Sequence, residues 1–234
     1  MRVKTFTLLL LVMSLFTPVL GAVELKYKFR PGNVYEYDHT VTRSSKVAAF
    51  KTNSSQSPIK TSQKFTLRAI DFQEGAHIVD VIGAGGAFRR YVRENGALSG
   101  APGETGESVP FLLSFPVGDW KVGERHQLQQ TMTVGATSVP ATWNMLLKSL
   151  DNDKQTAEIL FNCSFKLPED RLRRKEFAMK GRAIFNFEQG ILQQSEWVST
   201  YRFIFSNREM AVGRELWLFE HQSSSALTLA AKKD

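Results

Sequence analysis

Four histidines, one cysteine and a scatter of turn carboxylates are the groups in this 234-residue chain that could carry acid–base, nucleophilic or metal chemistry. His39, His77, His126 and His221 lie far apart, and no carboxylate or thiol completes a metal-ligand spacing around any of them. His39 and His126 lie on the apolar-facing parity of their strands and could approach each other, but a buried, hydrogen-bonded role fits them better than a ligand role. Cys163 stands between Phe161 and Phe165 on one strand parity, where burial raises a thiol pKa and makes it inert. The chain has no HExxH, no Walker-type lysine loop and no serine elbow. Gly83-Ala84-Gly85-Gly86 has Phe88 where a dinucleotide fingerprint needs glycine, so a tight turn or bulged strand is expected. Asp119, Glu124, Glu169 and Asp170 sit at turns, where carboxylates cap and solvate. These patterns imply no catalytic, metal-binding or cofactor-binding residue, and they point to binding rather than catalysis.

Two sets of residues stand above this background. The first is phenylalanine, 17 against 5 Tyr and 4 Trp, with Phe161, Phe165, Phe185, Phe187 and Phe203 on buried strand parities. Two readings fit them: a packed core, or the lining of a site for a lipid or other apolar ligand. The second is basic. Arg171, Arg173, Arg174 and Lys175, with Lys166, Lys180 and Arg182 nearby, read either as a solvated connection between strands or as a contact for an anionic envelope surface. The segment is expected to project as a loop or short helix.

The elements that must position these groups follow from a period of two. Leu25, Tyr27 and Phe29 alternate with Lys26, Lys28 and Arg30; Ala157, Ile159, Phe161, Cys163 and Phe165 alternate with Glu158, Asn162 and Ser164. Alternation of this kind marks antiparallel strands with one buried and one wet face. Pro31-Gly32-Asn33, Gln73-Glu74-Gly75, Asp151-Asn152-Asp153 and Glu188-Gln189-Gly190 supply the turns between alternating runs. The expected fold is all-β and mainly antiparallel: a curved sheet or open barrel of about ten strands. A few short helices are expected, near Pro110–Phe115 and Pro168–Phe177.

Three blocks recur in order. Residues 32–40 resemble 123–131, Ile70-Asp71 resembles Leu150-Asp151, and 94–98 resembles 188–192. Two related halves are therefore expected, over 23–98 and 119–222, with Gly32 matching Gly123 and Gly96 matching Gly190. Residues 99–118, rich in Gly, Pro and Ser, are expected to form a linker or flap, and 223–234 a flexible tail. Ser44–Ser62 is expected to be a polar, mobile hairpin end.

The run Gly32-x-x-Tyr35-x-Tyr37, with Pro116-Val117-Gly118-Asp119-Trp120 opening the second half, resembles exported bacterial β-rich proteins of unknown function. At the level of fold alone the layout is similar to open-barrel carriers of the LolA and LppX type. The resemblance implies an exported β protein and supplies no catalytic residue.

Residues 1–22 read as a secretory signal: Arg2 and Lys4, the apolar run Leu8–Phe16, Pro18, then small residues at Gly21 and Ala22. Cleavage there leaves 28 basic against 23 acidic residues spread along the chain, a weak surplus that does not suggest a nucleic-acid partner. The expected location is the periplasm or the outside of the cell. The expected role is a binding protein, with an assembly factor of the envelope as the alternative and a hydrolase without a recognisable motif as a weaker one.

Overall fold

The computed structural model describes residues 21–49, 52–99, 112–134, 137–166, 173–206 and 216–233. The expected signal segment lies almost wholly outside them. Fourteen strands run in chain order: β1 Val23–Glu24, β2 Val34–Ala49, β3 Thr52–Ser55, β4 Ile59–Gln73, β5 Ala76–Gly83, β6 Gly86–Arg93, β7 Leu98–Ser99, β8 Asp119–Trp120, β9 Arg125–Val134, β10 Thr137–Asp151, β11 Thr156–Lys166, β12 Arg173–Asn186, β13 Ile191–Ser206 and β14 Leu216–Lys233. They form one large antiparallel sheet in the order β7-β6-β5-β4-β2-β14-β13-β12-β11-β10-β9, with β3 on β2 and a separate β1–β8 pair. The sheet is not closed into a barrel: among the described residues its end strands β7 and β9 do not pair with each other.

Both halves are meanders, joined where β2 meets β14. The strands alternate buried and exposed side chains, and the buried rows form a main core and a smaller second cluster around Cys163. Two irregular segments plug that core. Phe29, Tyr27, Phe115 and Trp120 form an aromatic column from His77 on β5 to His126 on β9, with successive ring centroids 4.0–6.2 Å apart. All four aromatics are buried, and each buried ring of this size stabilises the fold by roughly 1.5–3 kcal/mol. Short β1 and β8 clamp the two plugs together through the pairs Val23–Trp120 and Glu24–Asp119.

The opening turns of the two halves correspond in backbone detail. Gly32 N–H donates to the Ala69 carbonyl and Ala69 N–H to the Asn33 carbonyl, both at 2.9 Å. In the second half, Gly123 N–H donates to Leu147 at 2.8 Å and Leu147 N–H to Glu124 at 3.3 Å. A bulge follows each of these residues, between Ala69 and Asp71 and between Leu147 and Ser149. The match of Ile70-Asp71 to Leu150-Asp151 suggested by the sequence is thus two residues out of register. Gly96 and Gly190 both follow the fourth meander strand of their half and both have positive φ, 83° and 65°.

Several expectations need correction. No helix occurs among the described residues. Residues 173–177 belong to strand β12, because Arg173–Phe177 pairs in register with Tyr201–Phe205 on the neighbouring strand. The described part of the proposed flap is not a linker: Leu113 and Phe115 are buried in the core. Residues 223–233 are no flexible tail but part of β14, bonded to β13 and β2. The run Ser223-Ser224-Ser225 hides this strand by breaking hydrophobic alternation, and pairing on both sides holds it. Ser44–Ser62 largely continues the sheet through β2, β3 and β4.

Candidate functional site

A groove of about 1130 Å³ lies against the sheet and is lined from eight neighbouring strands, β4 through β9 in sheet order. Strand register explains its composition. One row of cross-strand partners runs His126–Met145–Phe161–Gly181–Trp197–Ser225–Val41. Met145, Phe161, Ser225 and Val41 in this row are buried, so its side chains go to the core. The rows on either side of it point to the opposite face, and these flank the groove.

One flanking row reads Gln127–Asn144–Asn162–Lys180–Val198–Ser224–Thr42–Lys60. Its amides form a ladder: Gln127 Nε2 donates to Asn144 Oδ1 at 3.2 Å, and Asn144 Nδ2 to Asn162 Oδ1 at 3.1 Å. The other row reads Arg125–Leu146–Leu160–Arg182–Glu196–Ala226–Thr40. Leu146 and Leu160 are direct cross-strand neighbours and half-buried. With Val198 and Ala226 they make the groove apolar along part of its length.

The charges are unevenly partnered. Glu196 accepts from Arg182 Nε at 3.1 Å and from Gln194 Nε2 at 2.9 Å, and the carboxylate beside Arg182 raises the guanidinium pKa. Elsewhere on the wet face cations are also paired, as in Arg202–Glu220 at 2.7 Å and Lys148–Glu158 at 3.0 Å. Lys60, Arg125 and Lys180 line the groove, and none of them has an ion-pair partner among the described residues. The groove thus offers an apolar strip, hydroxyl and amide groups, and three uncommitted cations.

The sequence-derived sites are dispersed. Phe161 and Phe185 are in the main core, with half-buried Phe187 packed against it. Phe165 is in a second, smaller cluster with Cys163, stacked on Phe177 at 4.7 Å. Phe203 packs edge-on against Tyr201 at 4.3 Å. Of the five, only Phe161 borders the groove, so these rings do not assemble a common cavity lining.

Among the basic set, Arg173, Arg174 and Lys175 stand on β12, not on a projecting loop. Their side chains and all of Arg171 lie outside the described residues. Lys180 and Arg182, seven or more residues further along the same strand than Arg173, are the members that reach the groove.

The histidines do not converge. His39 stacks on Trp197 at 5.6 Å and its Nδ1 meets Gln63 Nε2 at 3.2 Å. His126 stacks on Trp120 at 4.0 Å. His77 Nε2 donates to the Tyr27 carbonyl at 3.0 Å. Burial lowers the pKa of both His39 and His77. Cys163 is buried, and desolvation pushes its thiol up to about 12. Among the described residues no group of three or more His, Cys, Asp or Glu side chains could hold a metal ion.

The groove escaped the sequence reading because its residues lie on the parity read as solvated. One signal was present. Met145-Leu146-Leu147 and Ile159-Leu160-Phe161 are apolar on both parities, which marks strands with something other than water on their second face.

No family model and no curated protein matches the chain. Among solved structures it is similar to one titled "Lipid-protein interactions in lipovitellin", at 9% identity over 88% of this chain, with a TM-score of 0.41. This chain spans 26% of that one. At that score the likeness carries no argument about ligand.

Proposed function

We propose that this chain is an exported, non-enzymatic binding protein that holds an anionic amphiphile, a molecule with an acyl or similar apolar chain and an acidic head, in the groove on its polar face. The observation that carries this reading is the juxtaposition of Leu146 and Leu160 with uncommitted Arg125 and Lys180 in one groove. A solvated strand face has no need of paired leucines, and burying them under a ligand chain contributes roughly 25 cal/mol per Å² of apolar surface covered. An acidic head completes cations that have no carboxylate partner among the described residues, and charge-assisted hydrogen bonds of this kind are about twice as strong as neutral ones. The volume is ample for a small ligand, since such sites commonly span about 300–1,000 Å³. Export rests on the signal-like residues 1–22, and the non-enzymatic role on the absence of a recognisable catalytic motif in the sequence.

Titration with cis-parinarate, a fluorescent fatty acid, and with its methyl ester tests the proposal. Saturable binding of the acid, with the ester at least about tenfold weaker, a difference of about 1.4 kcal/mol, is the expected result. Equal affinity for the two removes the anionic head from the proposal, and no saturable binding of either removes the groove as a lipid site.

A further inference from the structure

The two ends of the sheet are protected very differently. At one end β7, Leu98–Ser99, pairs only with Tyr91 and Val92 of β6, so the edge left without a described partner there is the short run 86–90. At the other, β9 spans ten residues, Arg125–Val134, and pairs with β10 along its whole length without a register shift. No described strand pairs with its outer side. Folded proteins normally blunt such an edge with lysine, proline, a bulge or a short length. The sequence Arg-His-Gln-Leu-Gln-Gln-Thr-Met-Thr-Val has no lysine and no proline, and its one permanent charge, Arg125, stands at the very start.

We infer that β9 pairs antiparallel with β9 of a second copy of this chain, across a two-fold axis at Gln129. That register is self-complementary. It sets Gln129 against itself, Gln127 against Thr131 of the partner subunit, and Arg125 against Thr133 of the partner subunit. Opposed residues keep the same face, as an antiparallel ladder requires, and no like charges meet. A two-fold contact uses one patch twice, and among the described residues β9 is the longer unpaired edge. The groove reaches β9 through Arg125 and Gln127, which this register sets opposite Thr133 and Thr131 of the partner subunit, so the grooves of the two copies stay separate, offset by about 20 Å along the strands. An interface made mainly from one strand pair is small, and the dimer is expected to be weak, dissociating in the micromolar range or above. The inference does not depend on the nature of the groove ligand.

Sedimentation velocity of the whole mature chain, from low micromolar to near-millimolar concentration, tests it. The expected result is a concentration-dependent shift from monomer to dimer. Gln129→Lys, which places two ammonium groups at the axis, is expected to remain monomeric with an unchanged circular dichroism spectrum. Gln129→Thr is expected to dimerise like the parent. Hydrogen exchange of the β9 amides should slow as concentration rises. A parent chain that stays monomeric throughout leaves this edge to a foreign strand or to none and overturns the inference. Dimerisation unaffected by Gln129→Lys overturns it equally, by placing the contact elsewhere.

Discussion

The first four meander strands of each half, β2-β4-β5-β6 and β9-β10-β11-β12, follow one plan and end differently. Each half opens on a glycine of positive φ, Gly32 at 91° and Gly123 at 85°. Each carries a bulge near the end of its second strand. Counting from the hairpins that close on Gln73–Ala76 and Asp151–Thr156, His77, Val79 and Val81 correspond to Ala157, Ile159 and Phe161, all buried. The same count brings Gly83 opposite Cys163. At Gly83 the first half turns back, whereas β11 runs on through Cys163 to Lys166. The second half also adds β13 and β14. What differs at the groove is the added strands: β13 and β14 line it alongside β9 to β12, and the first half contributes only Thr40, Thr42 and Lys60.

The largest effects should come from the closing glycines. A Cβ on Gly190 falls 2.5 Å from Lys28 N, and one on Gly96 falls on the Leu113 carbonyl oxygen and 2.6 Å from Tyr27 Cε2. Both positions combine positive φ with backbone contact. Gly96→Ala and Gly190→Ala should each cost about 3 kcal/mol in urea denaturation. The opening glycines have open space around them, so Gly32→Ala and Gly123→Ala should cost about 1 kcal/mol, the dihedral penalty alone. Unequal costs within either pair break the correspondence of the halves.

Next in size is the groove. Arg125→Ser and Lys180→Ser, both in the second half, should each weaken cis-parinarate binding by about tenfold, or 1.4 kcal/mol, with less effect at high salt. Lys60→Ser in the first half should weaken it less, because Lys60 stands apart from the Leu146–Leu160 pair. An equal loss at Lys60 would show that the two halves share the ligand evenly.

A smaller effect separates the halves by pH. His39 and His77 both belong to the first half, and burial holds both pKa values below the ordinary histidine value of 6.5. The unfolded chain therefore takes up protons first as pH falls, and stability declines as pH drops below about 6.5. His39→Gln should flatten that decline, measured as the urea midpoint between neutral and mildly acid buffer. An unchanged slope would mean that His39 is not held neutral.

Smallest is the effect at Cys163. Its raised pKa leaves the native thiol protonated where the unfolded one ionises, so stability is intact below about 9 and declines as pH rises toward about 12. A bulky maleimide should label Cys163 only on unfolding, and rapid native labelling would show that β11 opens there.

The period-two pattern made the strands and the all-β class legible, because each strand buries one face. Gly32, Gly96, Gly123 and Gly190 made the turns legible, because positive φ favours glycine. β14 was obscured by Ser223–Ser225, and the start of β12 by Arg173-Arg174-Lys175, since charged and hydroxyl residues carry no alternation. The groove was illegible for another reason. Leu146, Leu160 and Lys180 become neighbours only through the β10–β11–β12 register, and single-strand periodicity cannot supply that.

The central claim is that the groove holds an anionic amphiphile, and native mass spectrometry of the purified protein, followed by lipid extraction, tests it most directly. The proposal predicts a bound population heavier by the mass of one acyl-bearing acid, recovered in the extract and lost in a folded Leu160→Asp variant. The bare protein mass in every preparation, including after incubation with excess fatty acid, would contradict it.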